Sequence, residues 1–147
     1  MARRHFLTQL AALPLFLSGV QPAPRPAPLK IMLKSAWGSD DPTKAAFPFL
    51  HGHALAEAGH EVQIFLLGEA VSLMRASVAN AVTPVGWPRL SEILGRVVER
   101  KIPIYACGTC ARARDVSEAD LRGYGAKYGN PGVFVGLVEW ADRIITE

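Results

Sequence analysis

The fold is decided by residues 102–121, which read IPIYACGTCARARDVSEADL. The segment begins with an apolar run of strand length, Ile102–Cys107, and continues to Ser117 and Asp120, whose three-residue spacing resembles a capping box at the start of a helix. A strand that leads into a helix is the repeating unit of α/β proteins. The same segment also holds both cysteines of the chain, so it bears on chemistry as well as on fold.

The strand–helix alternation continues on both sides of this segment. Short apolar runs typical of strands lie at Lys30–Ala36, Val62–Leu67 and Arg143–Thr146. The clearest helix is an apolar stripe with i, i+3, i+4 and i+7 spacing from Leu90 to Val98. This alternation, with short links, predicts an α/β fold: a three-layer α/β/α sandwich with a mainly parallel sheet of about five strands.

Further helices are predicted at residues 42–58, 69–77 and 131–140. Pro42 and Pro131 each follow a capping residue and occupy the first helical position, whereas Pro48 predicts a bend. Residues 38–41 are interpreted as a turn and helix cap. Residues 123–130 are interpreted as a glycine-rich loop without phosphate-loop spacing. No dinucleotide fingerprint is present either, so we expect no cofactor.

The N-terminal region differs in composition from the rest of the chain. It has a basic start, an uncharged apolar run from Phe6 to Val20 and then a proline-rich spacer. Residues 3–7, RRHFL, resemble the twin-arginine export signal. We therefore divide the chain into an export leader with spacer, residues 1–28, and a domain, residues 29–147, and expect a periplasmic or exported location. Both candidate cleavage alanines in the spacer precede proline, and an uncleaved leader would tether the domain to the membrane.

The charge distribution argues against nucleic-acid binding. The chain has 16 basic and 13 acidic residues, and three of the arginines lie within residues 1–28, which contain no acid. Residues 29–147 are therefore formally neutral. They also lack a basic stripe with interleaved aromatic residues, so nucleic acid is not an expected partner.

The position of Cys107 favours a reactive thiol. Active sites of open α/β sheets lie beyond the carboxyl ends of the strands, where Cys107 is expected. Gly108 and Thr109 begin a turn whose free amide groups would favour a thiolate, and Arg112 and Arg114 would add positive charge if they face the sulfur. Lowering a thiol pKa from about 8.5 to about 6.5 raises the thiolate fraction at neutral pH from about 3% to roughly three-quarters.

Three other interpretations of the Cys-x-x-Cys spacing remain open. A structural zinc site usually needs four protein ligands, and His51, His53 and His60 are poorly spaced to complete one, so we expect no metal. A thioredoxin-like redox pair has this spacing after a strand, and an exported protein meets an oxidising compartment. The third interpretation is that the cysteines are buried packing residues, as free cysteines often are.

Four segments together resemble the DsrE/DsrF-like family, which includes TusD sulfur-relay subunits and YchN-like proteins. They are KIMLKSA (30–36), GHEVQIFLLGEAVSLM (59–74), IPIYACGTCARARDV (102–116) and ADRIITE (141–147). The resemblance implies that Cys107 is the active cysteine and that Arg114 is the arginine found before a turn in relay members. Asp115 stands where glycine is common. Cys110 matches the Cys-x-x-Cys of YchN-like members better than the single-cysteine relay subunits.

The resemblance implies that the protein handles sulfane sulfur as a persulfide on Cys107. The thiolate would take the outer sulfur from a donor persulfide and pass it to an acceptor. The two-residue spacing of the cysteines adds the hypothesis that Cys110 is a resolving thiol, which releases sulfide and forms a disulfide. It also implies sulfur donor and acceptor proteins as partners and a homotrimer or homohexamer. Two alternatives are an oligomeric non-catalytic assembly or binding module, and a Cys-x-x-Cys thiol-disulfide redox protein.

Overall fold

The structure, a computed structural model, describes residues 27–147. The twin-arginine motif and the apolar run of the predicted leader lie outside the described residues. Within residues 27–147, none of the helices combines the length and apolar character needed to cross a bilayer.

Five strands form one parallel sheet in the order β4-β3-β2-β1-β5. They are β1 (Lys30–Ser35), β2 (Glu61–Leu66), β3 (Ile104–Cys107), β4 (Lys127–Gly129) and β5 (Arg143–Thr146). The α/β fold with a parallel sheet of about five strands is therefore confirmed.

Six α-helices and one 3₁₀ segment connect the described strands. They are α1 (Pro42–Glu57), the 3₁₀ segment (Gly68–Met74), α2 (Ala76–Ala81), α3 (Leu90–Glu99), α4 (Gly108–Arg112), α5 (Glu118–Arg122) and α6 (Pro131–Trp140). Strands β1 to β4 step across the sheet in one direction, and the chain then returns to place β5 beside β1. Helix α6 packs on the opposite face of the sheet from α1 and α3, as expected when the return crossover is right-handed.

The strands bury side chains on both faces of the sheet. Leu33 and Ile64 pack into the larger core, which includes residues of α1 and α3. Met32 and Phe65, their neighbours along the strands, pack with Leu137 of α6 in a smaller core. This alternation follows from the two-residue period of a strand and gives the helix–sheet–helix layering.

Two parts of the sequence-based prediction are wrong. The glycine-rich segment 123–130 is not all loop, because it contains strand β4 at the edge of the sheet. This strand has only three residues, with Lys127 and Tyr128 exposed, so it lacks the apolar run that indicates a strand. The helix predicted at residues 69–77 is instead the 3₁₀ segment followed by α2, with the chain extended at Arg75 between them.

The turn before α1 agrees with its interpretation as a helix cap. Asp41 Oδ1 accepts a hydrogen bond from the Lys44 amide at 3.0 Å, and Pro42 occupies the first turn. Pro48 is accommodated within α1, which continues past it to Glu57.

Candidate functional site: a pair of thiols at the end of β3

Cys107 lies where β3 ends and α4 begins. It is the last residue of the strand, is paired with Gly129 of β4, and caps α4. Gly108, the first residue of α4, is buried, and a Cβ atom added there would lie 3.4 Å from the Gly129 carbonyl oxygen. The small residue therefore lets α4 start close against the neighbouring strand.

A cavity of about 610 Å³ opens beside the two thiols. One wall comes from the start of α4 and contains Cys107, Gly108, Thr109, Cys110 and Arg112. The remaining walls come from the end of β2, from β4 and from the start of α6, and contain Phe65, Leu67, Tyr128, Gly129, Asn130, Pro131, Phe134 and Val135. The cavity is thus assembled from four parts of the chain at the carboxyl edge of the sheet.

Most of the cavity surface beyond the thiols is apolar or aromatic. The rings of Phe65 and Phe134 meet edge to face, with centroids 5.3 Å apart. Tyr128 donates a hydrogen bond from its hydroxyl to the Val116 carbonyl at 2.9 Å, which fixes its ring. Walls of this kind suit the apolar body of a ligand, and a volume of several hundred Å³ is in the range of small-molecule sites.

Both cysteines are free thiols of intermediate exposure. Burial alone would raise the pKa of Cys107. The amide of Cys110, its thiol, the amide of Thr109 and the positive charge of Arg112 outweigh burial, so the pKa of Cys107 lies below its ordinary value. Cys107 is therefore the thiol that ionises first.

The second thiol has the opposite shift. Burial raises the pKa of Cys110, and its interaction with Cys107 raises it further, which outweighs the lowering effects of the Gly68 amide and the Arg114 charge. A protonated Cys110 that donates to a Cys107 thiolate accounts for both shifts. Thiol pairs with this asymmetry contain one nucleophilic thiolate and one protonated thiol that can react in a later step.

The two arginines after the thiols have different positions. Arg112 lies on the cavity wall, and its guanidinium contacts the Thr109 hydroxyl oxygen at 3.3 Å. Arg114 lies outside the cavity. Its Nε donates to Glu69 Oε2 at 3.0 Å, a second nitrogen pairs with the other Glu69 oxygen, and its Nη1 donates to the Cys110 carbonyl at 3.2 Å. Arg114 therefore ties the end of α4 to the 3₁₀ segment.

Replacing Glu69 by glutamine is expected to loosen α4. The loss of the carboxylate removes the charged partner of Arg114, and we expect amide hydrogen exchange across α4 to accelerate about threefold. Hydrogen exchange followed by mass spectrometry measures the exchange rate of the α4 amides. Glu118→Gln is the matched control, because it removes the carboxylate partner of Arg122 on α5, away from the thiols. Equal exchange across α4 in both variants would contradict the role given to Arg114.

The same ion pair should depend on pH. The Arg114 guanidinium, through its hydrogen bond, lowers the pKa of Glu69 more than desolvation raises it. A depressed carboxyl pKa stabilises the folded state above the unfolded-state pKa, and this contribution is lost as the pH falls through the folded-state value. We therefore expect acid to remove the difference in α4 exchange between wild type and Glu69→Gln.

The structure separates the predicted site residues into two groups. Cys107, Gly108, Thr109, Cys110 and Arg112 line the cavity together, whereas Arg114 acts from behind α4. The predicted turn at residues 38–41 does not line this cavity. The sequence analysis missed the aromatic wall. Its one sequence signal is Phe65, which lies near the carboxyl end of the predicted buried strand Val62–Leu67.

The three histidines considered for zinc lie in separate environments. His51 contacts Glu147 at 2.8 Å, His53 contacts Arg100 at 3.2 Å, and His60 accepts a hydrogen bond from a backbone amide at 3.1 Å. Across residues 27–147, no three or more His, Cys, Asp or Glu side chains are grouped in a way that could hold a metal ion.

The family of the chain follows from its sequence. The sequence model of the DsrE/DsrF-like family matches residues 36–146, which include every strand of the described sheet except β1. The chain therefore belongs to the DsrE/DsrF-like family.

Two relatives share part of this sequence. The uncharacterized protein MK0008 of Methanopyrus kandleri is 37% identical over 92 residues, which are 63% of this chain and 71% of that protein. The uncharacterized protein MJ0989 of Methanocaldococcus jannaschii is 31% identical over 88 residues, which are 60% of this chain and 73% of that protein.

Two solved structures share the fold of this chain. The ychN protein from E. coli superposes with a TM-score of 0.62 at 18% identity, covering 82% of this chain and 99% of that one. The conserved protein BT1422 of Bacteroides thetaiotaomicron superposes with a TM-score of 0.55 at 15% identity, covering 80% of this chain and 94% of that one. At these identities the likeness concerns the fold.

Proposed function

We propose that this protein handles sulfane sulfur as a persulfide on Cys107. The observation that carries the proposal is the thiol pair, in which Cys107 has a lowered pKa and Cys110 a raised one on the wall of one cavity. A thiolate that reaches an open cavity can attack an external sulfur, which a thiol enclosed by the core cannot do. Membership of the DsrE/DsrF-like family, with its association with sulfur relay, supports the same chemistry.

The loading step transfers one sulfur atom without net oxidation. The Cys107 thiolate attacks the outer sulfur of a donor R–S–SH, so a new S–S bond forms at Cys107 and the S–S bond of the donor breaks. The products are Cys107–S–SH and the thiolate R–S⁻, which takes a proton from water. An acceptor thiolate then removes the outer sulfur by the same exchange in reverse.

Cys110 provides a second outcome for the loaded sulfur. Cys110 loses its proton and attacks the Cys107 sulfur, which forms the Cys107–Cys110 disulfide and breaks the bond to the outer sulfur. The outer sulfur leaves as hydrosulfide and takes up the proton that Cys110 released, giving hydrogen sulfide. The two cysteines are oxidised and the sulfane sulfur is reduced. Return to the dithiol form requires an external dithiol reductant.

Mass spectrometry of the loaded protein tests the proposal. Reduced protein is incubated with an organic persulfide donor, freed of small molecules and measured intact and after digestion. We expect an adduct of about 32 Da on Cys107 in the Cys110→Ser protein, which cannot discharge it by forming a disulfide, and no adduct in Cys107→Ser. Cys107→Ser and Cys110→Ser are matched variants, because each removes one of the two thiols on the same cavity wall. No adduct in Cys110→Ser, or an adduct on Cys110 in Cys107→Ser, would contradict the proposal.

A second candidate function, an assembly module, has support on the α6 face. Val135 of α6 is 52% exposed, Val138 is 40% exposed, and Ile144 of β5 is 46% exposed. Apolar side chains clustered on one face often mark contacts between proteins. We propose a homo-oligomer, with a trimer or hexamer expected from the family resemblance, and sedimentation at several concentrations measures it. This oligomer is compatible with sulfur carriage, whereas a pure module forms no persulfide.

The partners and location proposed from the sequence are sulfur donor and acceptor proteins in an exported, periplasmic or membrane-tethered setting.

A Cys-x-x-Cys redox protein is the remaining alternative, and the asymmetric pKa values of the two thiols favour it as well. It predicts catalytic oxidation of a dithiol substrate with no 32 Da intermediate.

A further inference from the structure

The cavity extends well beyond what a persulfide group needs. A volume of about 610 Å³ exceeds the space taken by two sulfur atoms and is in the range of sites that enclose a small organic molecule. The space lies over Phe65, Phe134 and Tyr128, so the part of a ligand that is distant from the sulfur would contact aromatic and apolar surface.

Arg112 gives this wall a positive charge that no carboxylate neutralises within the described chain. Arg114 is paired with Glu69, but no acidic side chain of residues 27–147 lies within salt-bridge distance of Arg112. Among the described residues, the Arg112 guanidinium donates a side-chain hydrogen bond to the Thr109 hydroxyl alone. A planar guanidinium suits a carboxylate, which it can bind through two parallel hydrogen bonds.

From the combination of reactive sulfur, aromatic walls and unpaired guanidinium, we propose that the sulfur donor at this site is a small organic persulfide with an apolar, preferably aromatic, body and a carboxylate group, in place of the donor protein expected from the family resemblance. This inference rests on the proposed function, since it names the donor class for the same cysteine. The carboxylate binds Arg112, the body lies between Phe134 and Tyr128, and the outer sulfur meets the Cys107 thiolate. The transfer forms the Cys107–sulfur bond and releases the organic thiolate, as in the loading step.

Paired aryl disulfides test the recognition without requiring a persulfide. The probes are bis(4-carboxyphenyl) disulfide and its bis-carboxamide, which have nearly the same shape and differ in charge. Each reacts with the Cys107 thiolate to give Cys107–S–S–aryl and one aryl thiolate, whose release is followed by absorbance. The reactions use the full chain with Cys110→Ser, so that only the first exchange is observed. Rates are divided by those of an unfolded cysteine peptide.

The ratio of the two rates isolates charge recognition from thiol reactivity. We expect the carboxylate probe to react about tenfold faster than the carboxamide. Arg112→Gln should reduce this ratio to about one, and Arg112→Lys should retain part of it. Any change in the pKa of Cys107 affects both probes alike and leaves the ratio unchanged. A ratio of one with Arg112 present, or a ratio unaffected by Arg112→Gln, would overturn the inference.

A second variant tests the apolar body. Val135→Trp places a large side chain on the cavity wall, and we expect it to slow both aryl probes about tenfold while leaving the small reagent methyl methanethiosulfonate nearly unaffected. Equal effects on all three reagents would overturn the assignment of an organic body to this cavity.

The outcomes separate the two proposals. If the aryl probes show no selectivity but Cys107 still acquires the persulfide from inorganic polysulfide, the donor class is wrong and the proposed function stands. If the selectivity holds but no persulfide forms with any donor, the cavity is a carboxylate-binding thiol site and the proposed function fails.

Discussion

Cys110→Ser is expected to hold its persulfide, whereas the wild-type protein discharges it as sulfide. The reason is that release requires Cys110 to attack the inner sulfur of Cys107–S–SH, and a serine hydroxyl cannot form the disulfide. We expect sulfide release from the loaded, desalted variant to fall at least about tenfold, and the adduct of about 32 Da on Cys107 to persist. A sulfide-selective electrode and intact-protein mass spectra measure the two quantities on the same sample.

Cys107→Ser is the control for that experiment, because Cys110 remains in the same cavity wall with its partner removed. This variant should neither load sulfur nor release sulfide. Sulfide release from Cys110→Ser at the wild-type rate would show that the persulfide is discharged by a route that does not use Cys110. The resolving role would then be wrong, even though Cys107 would remain the carrier.

Gly129→Ala is expected to destabilise the protein and to distort the cavity. A Cβ atom at Gly129 would lie 2.6 Å from one atom of the Phe65 ring and 3.5 Å from Tyr105 Cβ, and Phe65 is only 5% exposed. The ring has little room to yield because it packs against Phe134. Overpacking of this kind typically costs about 1–3 kcal/mol, which corresponds to a melting temperature lower by roughly 3–9 °C.

Gly136→Ala is the matched control, since it adds the same methyl group on α6 where no heavy atom outside its local neighbours lies within 4 Å. Alanine in a helix is favoured over glycine, so this variant should melt at the wild-type temperature or above it. Thermal unfolding followed by circular dichroism compares the two variants. A Gly129→Ala protein as stable as Gly136→Ala would contradict the tight packing of Phe65 described here.

The sequence predicted the secondary structure around Cys107 well because the signals there are local. An apolar run that ends at Cys107, followed by glycine, specifies a strand and a turn without reference to the rest of the chain. The capping box at Ser117 and Asp120 is equally local, and the structure contains both of its hydrogen bonds. These features placed the thiol at the carboxyl edge of the sheet.

The aromatic wall could not be predicted in the same way. Phe65 and Phe134 are far apart in sequence and meet only because β2 lies next to β3 and α6 crosses the opposite face of the sheet. Strand order is not encoded in any one segment. The short edge strand β4, which brings Tyr128 to the cavity, also lacks a sequence signal because its exposed residues do not alternate with apolar ones.

The two arginines illustrate a further limit. In the sequence Arg112 and Arg114 are equivalent candidates for charge near the thiols. Residues two apart near a helix project in different directions, so only Arg112 reaches the cavity. The partner that holds Arg114 is Glu69, 45 positions away, and no local pattern connects them.

The central claim is that Cys107 is the thiolate of this pair and Cys110 the protonated thiol. The most direct measurement is the pH dependence of alkylation by iodoacetamide, resolved for each cysteine by mass spectrometry after brief labelling of the reduced protein. The account predicts that Cys107 reaches half-maximal reactivity at a lower pH than the same cysteine in the unfolded chain, and Cys110 at a higher one. Half-maximal reactivity of Cys107 at or above the unfolded value, or ionisation of Cys110 before Cys107, would contradict it.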